Sequence, residues 1–209
     1  MKKFFTVIPL QLRGQLASYH YTAVGNSRLE MEGETSFPIL TALSGYAQPG
    51  EEVRVIAVMQ DSPACENNRN SLLRETAALC ESRGIALPRG VEVVRVPLGQ
   101  EASAHAQAFH QLLSYVDDDD ELFACMTYGT KPQSMALLMA VRYAYRIKRN
   151  ASIRCVVYGN VVRPGADRSG WYGEVYDMTA LLQMDELVRV LGEQGEEHPE
   201  ALIGQLLAL

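Results

Sequence analysis

The chain has 209 residues, 47% of them apolar and 21% charged, with a formal net charge of -6. That content suffices for one sizeable core, while the acidic balance provides no global basic field for gripping long DNA or RNA, so an anionic ligand has to be caught locally. No stretch approaches the roughly 20 uninterrupted apolar residues of a membrane span.

The opening segment, Met1 to Leu10, sets two lysines before an apolar run. Pro9 breaks that run and no small-residue cleavage pattern follows, so residues 2–9 read as a buried strand and not as a signal peptide. Gln11 to Ser36 is polar and glycine-bearing; within it "YHYTAVGNSRLEMEGETSFP" predicts a β-hairpin insertion turning at Gly25-Asn26 and Glu32-Gly33. Phe37, Ile39, Leu40, Leu43 and Tyr46 have helical spacing. "EVRVIAVMQD", residues 52–61, is a strand ending in Gln60-Asp61-Ser62, and residues 66–84 form a helix closed by Gly84. A strand over 91–98 and a helix over 102–116 follow, and the acidic run Asp117 to Glu121 reads as a solvated connector.

Next come a strand over 122–127, a helix over 132–148 and the apolar strand "IRCVVYGNV", 153–161. "RPGADRSGWYGEV" is an irregular excursion before a helix capped by Asp177 or Thr179. This alternation predicts a Rossmann-like α/β fold with a mostly parallel, doubly wound sheet. It occupies one domain over 1–192, and 193–209 form a short tail with an apolar helix. Cys65, Cys80, Cys125 and Cys155 lie far apart without C-x-x-C spacing, so the expectation is a reduced, cytoplasmic protein with no zinc site and no cofactor. His20, His105, His110 and His198 form no metal-ligand spacing with nearby acids.

In a parallel sheet, ligands bind outside the carboxyl ends of the strands. The candidates there are Leu10 to Arg13 with Gln11, then Gln60, Asp61 and Ser62, then Thr127, Tyr128, Gly129, Thr130, Lys131, Pro132, Gln133 and Ser134, and finally Tyr158 to Asn160. Thr127 to Lys131 offers two hydroxyls, a glycine allowing close backbone approach and a cation at a helix start whose dipole favours anions, which suits a phosphate or a ribose. The same residues also make a plain helix start with a solvated lysine. G-x-x-x-x-G-K-[ST], G-x-G-x-x-G and G-x-S-x-G are all missing, which sets aside an ATP-hydrolysing P-loop, a dinucleotide site and an elbow serine hydrolase. The glycines and charges of "EMEGETSF" and "RPGADRSGW" give both the composition of covering loops.

"MTYGTKPQSMALLMAVRYAY", "IRCVVYGNV" and "GEVYDMTALLQMDELVRVL", together with "YTAVGNSRLEMEGETSFPILTAL", resemble in order and spacing the CARF domains of type III CRISPR-associated proteins. The resemblance implies a Rossmann-like homodimer that binds cyclic oligoadenylate across its two-fold axis. Thr127, Gly129, Thr130, Lys131 and Pro132 would form the contacting turn, Gln11 the loop after the first strand, and Asn160 a further contact. No R-x-x-x-x-H ribonuclease motif follows the final helix within these 209 residues. The resemblance therefore implies a sensor module or a metal-independent ring nuclease in which Lys131 stabilises charge and Thr127 or Thr130 orients a ribose hydroxyl; a different class, apart from the resemblance, is a scaffold that regulates a partner through the C-terminal helix "PEALIGQLLAL".

Overall fold

Parallel strands covered on both faces read as unbroken apolar runs, and three such runs form the centre of the sheet in the computed structural model. They are β1 (Lys2–Val7), β3 (Val53–Gln60) and β5 (Glu121–Cys125), buried along nearly their whole lengths. The structure describes residues 1–12, 14–99, 101–165 and 170–207. The remaining strands are β2 (Tyr21–Val24), β4 (Val91–Val96), β6 (Ser152–Val162) and β7 (Tyr172–Asp177). They complete one seven-stranded sheet in the order β2-β7-β6-β5-β1-β3-β4. All neighbours run parallel except β6 and β7. The protein is therefore α/β with a mostly parallel, Rossmann-like sheet.

Helices α1 (Ile39–Tyr46), α2 (Pro63–Arg83), α3 (Ala102–Leu113) and α4 (Lys131–Ile147) connect the strands. α1 packs with α2 and α3 with α4, and α1 and α4 both touch β1 and β5. Alternate β1 side chains thus enter different layers: Phe4 joins α1 and α2 residues in one hydrophobic core cluster and stacks on Phe123 at 4.4 Å, whereas Phe5 and Val7 lie outside that cluster. Met1–Asp177 forms one compact unit. Met178–Leu209 forms a second, with α5 (Thr179–Gln194) and α6 (Pro199–Leu207). No helix among the described residues is long and apolar enough to cross a membrane.

Four local expectations change. The predicted hairpin is reduced to an antiparallel bridge between Tyr19 and Thr35, and Tyr21–Val24 instead extends the sheet beside β7. That pairing works because the Tyr21 ring lies flat against Gly173, where an added Cβ would sit 2.5 Å from the ring. The excursion after β6 contains β7, so Tyr172 to Asp177 is strand. Neither expected cap serves α5: Met178 holds the cap position, Thr179 is already helical, and Asp177 Oδ2 accepts from Asn26 Nδ2 at 2.7 Å. This last bond ties the Gly25-Asn26 turn to the end of β7.

The acidic run is the fourth change, because it is not merely a solvated connector. Lys3 is 1% exposed, and its Nζ meets Asp117 Oδ2 at 2.7 Å and Asp120 Oδ2 at 2.6 Å. Asp120 is itself 2% exposed, and it also accepts the Asp117 amide at 2.7 Å. The lysine holds the Asp117 carboxyl below its usual range. Breaking a buried pair leaves its remaining charge under-compensated, here Asp120 with only the more distant N-terminal ammonium at 3.4 Å. Lys3→Met is therefore expected to cost about 3–5 kcal/mol in guanidinium unfolding, and adding Asp120→Asn should recover part of that loss. An unchanged unfolding midpoint in the single variant would refute the role given to the pair.

Candidate functional site

From β1 the sheet grows through β3 to β4 on one side and through β5 to β6 on the other. The carboxyl ends of β1 and β5 therefore bound the crevice where an open α/β sheet binds its ligands. Two segments rise there, the loop after Val7 and the turn after Cys125. Arg13 lies outside the described residues.

The β1 loop is held from below by a residue that sequence reasoning did not select. Asn68 of α2, 4% exposed, donates both Nδ2 hydrogens, to Pro9 O at 2.8 Å and Gln11 O at 2.9 Å. Ser62 caps this helix by accepting the Cys65 amide at 3.2 Å. The Gln11 side chain is thereby presented at the crevice.

The β5 turn is equally constrained. Thr127 Oγ1 accepts the Gly159 amide of β6 at 2.8 Å and the Cys125 thiol at 3.2 Å, leaving its own proton for a further partner. Tyr128 donates to Ser36 O at 2.7 Å, with its ring edge-on to Phe37. Gly129 has φ +90, and an added Cβ would stand 2.5 Å from Val7 Cγ1. This glycine thus lets the turn rest on β1, where the sequence suggested close approach to a ligand. Gln133 Oε1 accepts the Thr130 amide at 2.9 Å. The Thr130 hydroxyl faces the Gln133 amide as in a capping box, yet it is buried and without a hydrogen bond. Lys131 opens α4, exposed and with no ion-pair partner among the described residues.

Between these segments and the β6–β7 hairpin lies a cavity of about 530 Å³. Gln11, Thr127, Tyr128 and Asn160 line it together, joined by Gln15, Tyr19, Tyr21, Tyr158, Arg163 and Trp171. No carboxylate is among its described lining residues, and Arg163 supplies the one formal charge there. The Arg163 guanidinium sits 4.8 Å above the Trp171 ring, and Trp171 Nε1 donates to Gly165 O at 3.1 Å. Gln11 Oε1 is buried without a hydrogen-bond partner, whereas the Tyr21 hydroxyl interacts with that of Tyr128. Buried polar atoms are normally satisfied, so Gln11 Oε1 is open to a guest. Aromatic faces beside amides and a cation suit a stacked base with a nearby phosphate.

The other predicted residues do not line this cavity. Asp61 is exposed and paired with Arg95 of β4 at 3.0 Å, and Gln60 is 2% exposed. Gln133 is buried as a helix cap, and Pro132 lines a separate groove between α3 and α4. Of the expected covers, Thr35 and Ser36 are pinned by Glu75, which accepts from Thr35 Oγ1 at 2.6 Å and Ser36 N at 2.9 Å. Residues 166–169 of the other cover lie outside the described residues. Trp171 and Arg163 were missed because they sit in a glycine-punctuated stretch with no periodicity. The chain's single tryptophan was the available signal. The sequence matches no protein-family model and no curated protein.

Burial pushes the Tyr21 and Tyr128 hydroxyls well above the ordinary tyrosine range, so both stay protonated at neutral pH. A raised folded-state pKa adds stability that is full below the unfolded value, about 10, and is lost as pH rises beyond it. The melting temperature should accordingly fall above about pH 10, and Tyr128→Phe should reduce that slope. Thr127→Val, which leaves the Gly159 amide unpaired, should cost about 1–3 kcal/mol in chemical unfolding, whereas Thr127→Ser should retain most of the stability. Equal stability of the Val and Ser variants would contradict the acceptor role.

Proposed function

We propose that this protein binds cyclic oligoadenylate at a homodimer interface, as a CARF-type module of CRISPR antiviral signalling. The observation that carries this reading is the cavity at the ends of β1 and β5: rich in aromatic and amide groups, lined by no carboxylate among the described residues, and bordered by a turn that ends in the exposed Lys131. Adenine rings find tyrosine and tryptophan faces there, and amide side chains match their polar edges. Phosphates find Arg163 and the cationic start of α4. The negative overall charge disfavours long nucleic acid and leaves attraction to these local groups. A ring of repeated nucleotides has rotational symmetry, so an isologous dimer presents each half of the ring with the same turn.

Binding is favoured over cleavage as the main activity. The described lining holds no imidazole or carboxylate, and its two most buried tyrosines stay protonated. Scission would then rest on positioning a ribose 2′-hydroxyl in line with the adjacent phosphate, with Lys131 stabilising the developing charge.

The test is incubation with cyclic tri-, tetra- and hexa-adenylate in EDTA, with affinity read by calorimetry and products by chromatography. The expected result is saturable binding of at least one ring. Linear products ending in a 2′,3′-cyclic phosphate would add ring-nuclease activity, and no binding to any ring would overturn the reading. Lys131→Ala should weaken binding by about tenfold or more, the loss of one charge-assisted contact, at an unchanged melting temperature. Wild-type affinity in that variant would remove Lys131 from the site.

A further inference from the structure

The cavity at the ends of β1 and β5 holds one acceptor that its own residues leave unused. Gln11 lines the cavity, and its Oε1 is buried with no hydrogen-bond donor among the described residues. An acceptor in that position is unfavourable unless a donor arrives from outside the chain. The main chain that carries it is already fixed, since Asn68, 4% exposed, donates to Pro9 O at 2.8 Å and to Gln11 O at 2.9 Å. A guest therefore meets a carboxamide whose backbone needs no further ordering.

We propose that Gln11 selects adenine by reading its amino edge, with Oε1 accepting a hydrogen from N6 and Nε2 donating to N7. The inference rests on the nucleotide reading above and names the residue that chooses the base. A glutamine side chain sets one acceptor beside one donor, the pair that N6 and N7 of adenine require. Guanine and hypoxanthine place O6 beside N7, two acceptors, and leave Oε1 without a partner. Thr127 cannot take this role. Its Oγ1 already accepts the Gly159 amide at 2.8 Å and the Cys125 thiol at 3.2 Å, so it meets a ligand only as a donor.

A base amine also suits the position better than a ribose hydroxyl does. Gln11 shares the cavity wall with Tyr19, Tyr21 and Tyr158, whose rings offer faces for a stacked base. Riboses stay next to the phosphates, and those are drawn to Arg163 and to the start of α4. A stacked ring holds its amine in the ring plane and so aims it at a side chain in the wall.

The test compares wild type with Gln11→Met, which keeps the length of the side chain, removes both polar atoms and retains the main-chain bond to Asn68. Calorimetry uses cyclic tetra- and hexa-adenylate, the matching inosine rings, and the 5′-mononucleotides of adenine, 7-deazaadenine and hypoxanthine at up to millimolar concentration. Wild type is expected to bind adenine compounds about tenfold or more tighter than their hypoxanthine and 7-deazaadenine counterparts. Gln11→Met should weaken adenine binding to the hypoxanthine level, leave hypoxanthine binding nearly unchanged, and melt at the wild-type temperature. An adenine preference that survives the substitution, or full wild-type affinity for 7-deazaadenine, would overturn the assignment. Equal losses for both bases would overturn it too, by placing Gln11 against ribose or phosphate. The mononucleotides separate this assignment from ring recognition. An adenine preference abolished in the variant, with no ring bound by wild type, keeps the role of Gln11 and removes the ring reading. Ring binding with a preference untouched by the substitution does the reverse, and no binding of any adenine compound overturns both.

Discussion

The fold depends on where β1 sits. It runs parallel between β3 and β5, and its side chains are buried on both faces. A strand so placed has no solvent side on which to leave a charge. Lys3 is tolerated only because Asp117 and Asp120 close over its ammonium group at the start of the strand. The same central position makes the other end of β1 the point where the sheet's connections diverge, so an open crevice there follows from topology before any side chain is considered.

The polar groups around that crevice divide their work. Asn68, Thr127, Tyr128 and Gln133 hold loops in place through bonds to Pro9, Gln11, Gly159, Ser36 and Thr130. Gln11 and Thr130 are left with buried oxygens that have no partner. Rigid support beneath a few unsatisfied groups is what precise recognition requires, since ordering costs are already met before a ligand arrives. It also means that a substitution at Thr127 reports on stability as well as on any ligand.

Two surfaces of opposite character lie on either side of the turn after β5, Thr127 and Tyr128 lining one and Pro132 the other. On one side lies the aromatic and amide cavity, on the other the uncharged methionine and alanine groove. In the proposed function the first takes the nucleotides.

Sequence alone determined the alternation of strands and helices, the parallel sheet and the position of the turn after β5, because period, apolar runs and Gly-Pro punctuation act locally along the chain. Gln11, Thr127, Tyr128 and Asn160 were selected by their places at strand ends, and the structure gathers these four around one cavity. Tertiary structure decided the rest. Gln60 ends β3 and Asp61 follows it, but the Gln60 side chain is buried and Arg95 engages Asp61. Tyr21 reads as part of a separate hairpin and Trp171 as a loop residue until β2 pairs with β7 and both come to line one cavity with β6 residues. The acidic run looks solvated until Lys3, more than a hundred positions earlier, folds against it. Each of these outcomes depends on a partner distant in sequence, and neither propensity nor spacing encodes which distant partner a side chain will meet.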